Sequence, residues 1–117
     1  MTRLSLRSYY WGAIVMVVAA GELDTSTTER LAPYLRRLQA GNDLIVDLWD
    51  VTRCDPVGIV ALDEARERAH EAGWGFAVVV DPAGPCGEAF DGADLDTAIP
   101  AFHDRHAARA ALQNSPS

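Results

Sequence analysis

Three short runs of apolar, largely β-branched residues limit what this chain can fold into: residues 13–19, 44–48 and 76–80. A strand that faces water on one side alternates apolar and polar residues, whereas one covered on both faces is apolar almost throughout. Each run is too short for an ordinary helix and is followed by a segment whose apolar residues recur at helical spacing. Doubly covered strands that alternate with helices form a largely parallel sheet with helices packed against it. The 117 residues suffice for one such domain around one core.

Around these runs the order reads β-β-α-β-α-β-α-β-α, an α/β fold. Residues 4–10 alternate, with Leu4, Leu6, Ser8 and Tyr10 on one side of a half-exposed strand, and Trp11-Gly12 turns the chain into the first buried run. Ser26 and Glu29 have the spacing of a capping box with Ser26 as N-cap, and Leu31, Tyr34, Leu35 and Leu38 follow at helical intervals until Gly41 ends the helix. Pro33 inside that helix removes a backbone donor at about 3 kcal/mol, so the helix either starts later than the box or kinks.

After residues 44–48, Asp55-Pro56-Val57-Gly58 opens a second helix. Asp55 can accept from unpaired amides there, and Pro56 suits the first helical position. Ile59, Leu62, Arg66 and Ala69 mark its inner face, and Glu71-Ala72-Gly73 closes it. A third buried strand over 76–80, a short helix over 85–90, a brief strand over 99–102 and a last helix over 104–112 complete the chain. The domain is expected to span 1–112, with 113–117 a disordered tail.

All ten basic residues are arginine, and seventeen acids bring the formal charge to −7. No excess positive field exists to release counterions from nucleic acid or to hold an acidic membrane. Cys54 and Cys86 form neither a zinc quartet nor a disulfide framework, which points to a reducing cytoplasm. Arg3 and Arg7 ahead of residues 13–20 suggest a signal peptide, but residues 8–12 separate the charges from the run, and the run is far too short to insert in a membrane. Two strands and a turn account for the segment instead.

Enzyme signatures are absent: there is no G-x-G-x-x-G, no G-x-x-x-x-G-K and no G-x-S-x-G. His103 and His106 lack a third ligand at matching spacing, so no metal or cofactor is expected and they read as a solvated helix start. His70 suits the end of its helix, where a partly protonated ring meets the dipole. The six acids of residues 81–104 read as a solvated loop region. Trp49, at the exit of its strand, either anchors a partner or caps the core.

Cys54 and Cys86 each follow a buried strand at a helix start. Their thiols are close only if the two strands are neighbours, and the expected role is that of inert small hydrophobes. The segment from Asp47 to Gly58 is the most informative. It joins a buried strand to a helix N-terminus at the carboxyl end of a sheet strand, where ligands and partners approach and amide dipoles favour negative charge.

Taken in order, Gly21-Glu22-Leu23-Asp24, Ile45-Val46-Asp47-Leu48, Val51, Asp55, Gly58-Ile59, Leu62, Ala65, Gly73, Val78-Val79-Val80, Asp94-Leu95-Asp96 and Ile99-Pro100 span essentially the whole chain. In this ordered set the sequence resembles a STAS domain, the fold of anti-sigma-factor antagonists and of the cytoplasmic tails of sulfate transporters. In the antagonist branch the loop after the strand usually reads Asp-Ser-Ser-Gly or Asp-Ser-Thr-Gly. A hydroxyl there is phosphorylated by a switch kinase that is also the anti-sigma factor, and the added charge breaks the contact. Here Asp55 and Gly58 are kept, but Pro56 and Val57 stand between them and neither can accept a phosphoryl group.

The resemblance therefore implies a binding protein rather than an enzyme. Its partner would be an anti-sigma factor, a histidine-kinase-like ATPase, whose capture releases a sigma factor in the cytoplasm. The residues implied in partner binding are Asp24, Asp55, Pro56, Val57, Gly58 and Ile59, on a monomer or weak homodimer without a cofactor. The alternative is a structural adaptor within a stress-sensing assembly or a lipid-transport ATPase. A nucleotide binder ranks last, because no nucleotide loop is present.

Overall fold

The computed structural model describes residues 4–92 and 99–113. Among them the elements follow in the expected order: β1 (Leu4–Trp11), β2 (Ile14–Leu23), α1 (Thr25–Leu38), β3 (Asp43–Cys54), α2 (Pro56–Ala72), β4 (Phe76–Val79), α3 (Pro85–Gly92), β5 (Ala101–Phe102) and α4 (Arg105–Gln113). The strands lie side by side in chain order, β1 antiparallel to β2 and the rest parallel. The hairpin between β1 and β2 turns at Gly12, whose φ of 67° favours glycine.

The three apolar runs are the three central strands, and they are covered on both sides. On one face Leu31 and Leu35 of α1, Leu62 and Ala65 of α2, and Cys86 of α3 pack on Val15, Val17, Val46 and Val78. On the other, among the described residues, α4 brings Ala108 and Leu112 against Ile14, Met16, Ile45 and Val79. Gln39 Nε2 donates to Ala65 O at 2.7 Å and ties α1 to α2. Asp47 is the buried charge of the sheet centre: its Oδ2 pairs with Arg105 of α4, Nε at 2.7 Å, and its Oδ1 accepts from Trp49 N at 2.9 Å. Arg105 Nη1 in turn donates to Tyr9 Oη at 2.8 Å, so one guanidinium links α4 to β3 and β1.

Several boundaries differ from the sequence expectation. The N-cap of α1 is Asp24, not Ser26, and the residue answering it is Thr27, not Glu29. The Ser26–Glu29 spacing fits the same pattern two residues later, but only Thr27 can turn back onto both the Asp24 amide, at 2.9 Å, and Glu22 O, at 2.7 Å. The helix does not start late: it begins at Thr25 and carries Pro33 inside it. Pro33 is on the exposed face, where the Glu29 carbonyl that loses its donor can be hydrated. The C-cap of α1 is Gln39, and Gly41, φ 84°, belongs to the following turn.

β3 runs six residues past the apolar run, to Cys54, because β2 continues beside it. Gln113 is the last residue of α4, and the expected tail from 114 onward lies outside the described residues, as do Asp94, Leu95 and Asp96. No helix among the described residues is long and apolar enough to cross a membrane.

Candidate functional site

β2 and β3 end together. Leu23 is in register with Cys54, and the Asp55 amide donates to Leu23 O at 2.9 Å. The next residue on each strand is an aspartate that caps a helix, so Asp24 and Asp55 stand side by side at the N-termini of α1 and α2. The register reaches this point through two irregularities, between Val18 and Ala20 and between Gly21 and Glu22.

The two aspartates behave differently. Asp24 Oδ1 accepts from Ser26 N at 3.0 Å, Ser26 Oγ at 2.8 Å and Thr27 N at 3.0 Å. The Ser26 hydroxyl, with the Thr27 amide next, holds this carboxyl below its ordinary range. Asp55 caps only through its backbone position, and its side chain makes no cap hydrogen bond. The expected side-chain cap is therefore absent. Pro56 has no N–H to satisfy, and the Gly58 amide already donates to Asp55 O at 2.9 Å, so the first turn offers the carboxylate little. Asp55 Oδ1 instead accepts from Arg53 Nε at 3.1 Å.

Arg53 was not among the residues expected from sequence. Its exposed guanidinium is held charged by Asp55 first, and also by Glu22 and Asp24. It pairs with Asp55 and feels the charges of Glu22 and Asp24 as well. The available signal was the strand's continuation: once residues 49–54 are read as pleated, Arg53 comes level with Glu22. Thr52 Oγ1, beside it, donates to Gly21 O at 3.2 Å.

The remaining expected residues divide by exposure. Pro56 is exposed and Val57 half-buried, so both present surface. Gly58 and Ile59 are buried. A Cβ on Gly58 would lie 3.0 Å from Leu23 Cβ, so the glycine lets the start of α2 close onto the end of β2. Ile59 is 1% exposed and belongs to the core. These two set the shape of the surface that Asp24, Asp55, Pro56 and Val57 offer.

Elsewhere, Trp49 does not cap the core. It is exposed and lines a shallow recess of about 330 Å³ with Asp50, His103, Asp104 and Arg105 on the α4 side of the sheet. His106 meets Trp11 edge-on at 5.3 Å, and Arg109 lies 4.6 Å over the same ring. No group of three or more His, Cys, Asp or Glu side chains among the described residues could hold a metal. Cys54 is half-buried and packs against the apolar cluster that contains the buried Cys86, and both are free thiols.

The STAS domain family matches residues 11–108. Among solved structures, an anti-sigma factor antagonist from Mycobacterium paratuberculosis superposes with a TM-score of 0.81 at 24% identity, over 95% of each chain. A STAS domain protein of the anti-sigma-factor antagonist type from Planctomyces limnophilus gives 0.73 at 18% identity, over 92% of this chain and 96% of that one. A murine solute carrier family 26 anion transporter gives 0.73 at 17% identity, but the match occupies only 19% of the transporter. No protein of curated function matches the sequence. The fold is thus shared by free-standing proteins and by a segment of a much larger one, and the match over nearly the full length, on the strand ends and helix starts described above, makes this chain a member of the STAS domain family.

Proposed function

We propose that this protein is an anti-sigma-factor antagonist that docks on an anti-sigma factor of the histidine-kinase-like ATPase type, through Asp24, Asp55, Pro56 and Val57, over the scaffold of Gly58 and Ile59. The observation that carries the reading is the meeting of two helix N-termini at the ends of adjacent parallel strands. It gathers the acids Glu22, Asp24 and Asp55 around one arginine. Such a surface suits a partner with a basic patch, since complementary charge steers association and fixes register. The protein acts in the cytoplasm without catalysis, as a monomer or weak homodimer.

The surface is not switched by phosphorylation at positions 56 and 57. Proline and valine carry no hydroxyl, and the uncharged Val57 keeps the surface in the state that an unphosphorylated loop would have. Regulation then falls to the amount of protein or to another binding partner. The adaptor reading remains the second one.

Val57→Asp tests the docking surface. The α2 N-terminus accommodates a carboxylate, so the variant folds by circular dichroism. Beside Asp24 and Asp55, and desolvated in the contact, the new charge weakens calorimetric affinity for the anti-sigma factor by on the order of a hundredfold or more. A folded Val57→Asp protein that binds as tightly as wild type places docking elsewhere and brings the adaptor reading forward.

A further inference from the structure

Among the described residues β1 is the long open edge of the sheet; β5, at the opposite edge, is two residues long. The two-residue turn Gly12-Ala13 joins Trp11 to Ile14, which are paired, and Gly12 takes the positive φ that the first turn position of such a hairpin needs. The pair flanking a turn of this kind is hydrogen-bonded, and the bonding then alternates along the strand. Trp11, Tyr9, Arg7 and Ser5 therefore bond to β2, while Tyr10, Ser8, Leu6 and Leu4 turn their N–H and C=O groups away from it. Leu4 O agrees, since it accepts from Arg30 Nη1 of α1 at 3.0 Å. Nothing among the described residues answers the outward backbone groups of Leu6, Ser8 and Tyr10.

Exposed edges are ordinarily blunted by proline, lysine, a bulge or extreme shortness. β1 has none of these. Its eight residues pair with β2 without an irregularity, and its one charge is Arg7. Tyr10 is 72% exposed and Tyr9 44%. Each copy of the chain carries a net charge of −7, and β1 holds none of the acids, so this edge is where two copies meet without opposing carboxylates.

We infer that β1 is a self-association edge, to which a second copy of this chain adds its own β1, antiparallel about a two-fold axis at Ser8, so that two sheets become one. The residues choose the register. With the axis at Ser8, Leu6 stands opposite Tyr10 of the second copy and Ser8 opposite Ser8, so each outward N–H and C=O of these residues finds a partner. Arg7 then faces Tyr9 of the second copy, guanidinium beside ring. An axis at Arg7 would oppose two guanidiniums. One at Tyr9 would carry Leu6 onto the Gly12 turn, and one at Leu6 would set Ser8 against Leu4, whose carbonyl Arg30 already holds. The contact is the same patch on both copies and uses up the edge, so assembly stops at a dimer.

The pairing does not rest on the function proposed above, and its test reads association alone. In sedimentation velocity over a concentration series, wild type is expected to pass from monomer to dimer. Ser8→Pro removes an outward N–H and no bond to β2, which an edge strand tolerates. It is expected to keep the circular-dichroism spectrum of wild type and to stay monomeric at loadings where wild type is dimeric. Cross-linking under mild oxidation reads the register, with wild type as the blank for Cys54 and Cys86. Ser8→Cys puts the two sulfurs on directly opposed residues, about 5.5 Å apart at Cα and within disulfide reach, and is expected to give a linked dimer that dithiothreitol reverses. Tyr10→Cys puts them about 14 Å apart and is expected to give none. A wild type that stays monomeric throughout would overturn the inference. So would a folded Ser8→Pro protein that dimerises like wild type, or cross-linking as ready at residue 10 as at residue 8. Where Ser8→Pro fails to fold, the contrast between the two cysteine variants decides.

Discussion

Asp24 and Asp55 occupy equivalent places at adjacent helix starts, yet only Asp24 caps its helix with its side chain. Asp24→Ala is therefore expected to lower the melting temperature by several degrees at neutral pH, while Asp55→Ala, which gives up only an exposed pair with Arg53, changes it little. The sign of the pH dependence follows from the Ser26 and Thr27 donors, which hold the Asp24 carboxyl below its ordinary value of 3.8. Because the folded pKa is the lower one, the stability from the ionised cap is fully present above 3.8 and is lost as pH falls through the folded value. Thermal melts across the acid range should thus show the Asp24→Ala deficit shrinking below pH 3.8. Choosing between the two capping frames was beyond the sequence. Ser26 with Glu29 and Asp24 with Thr27 have the same spacing, and the decision falls to a tertiary partner, Glu22 O at the end of β2.

At the scale of elements, α4 is the sole helix on its face of the sheet among the described residues, and beside its apolar packing its polar tie to the centre runs through the Arg105 guanidinium. Arg105→Ala leaves the buried Asp47 carboxylate without its counter-charge. Arg105 is 41% exposed, so water recovers part of the loss and the expected destabilisation is about 2 kcal/mol in urea unfolding, below the figure for a fully buried pair. Changing Asp47 to Asn in the same chain should restore part of it. The type and order of the elements were legible because apolar period and continuity decide them: residues 13–19, 44–48 and 76–80 can be little other than doubly covered strands. The outer half of β3 was not legible. Trp49, Asp50, Thr52 and Arg53 are exposed and carry no apolar signal, and the strand persists there only because Ala20 through Leu23 pair with it.

Across the whole molecule, the candidate site is made by the sheet rather than by a loop laid over it. Asp24 and Asp55 adjoin only because two central strands, separated by the whole of α1, have paired in register to their last residues. That pairing was outside what Asp-Pro-Val-Gly could announce, since those residues lie on one side of the seam only. The amide of Asp55 lies at the seam, donating to Leu23 O across the two strands. A hydrogen bond of this kind opens only when the central pair of strands separates, which is the event that unfolds the core. In native-state hydrogen exchange the Asp55 amide should thus exchange with the same opening free energy as Val46 or Val17, although it belongs to a surface residue. If it exchanged instead like a frayed end, the two helix starts would open independently of the core. For a protein read as docking through this seam, a slow amide would mean that no folded form has the surface taken apart: the chain that has folded at all has already built its contact face.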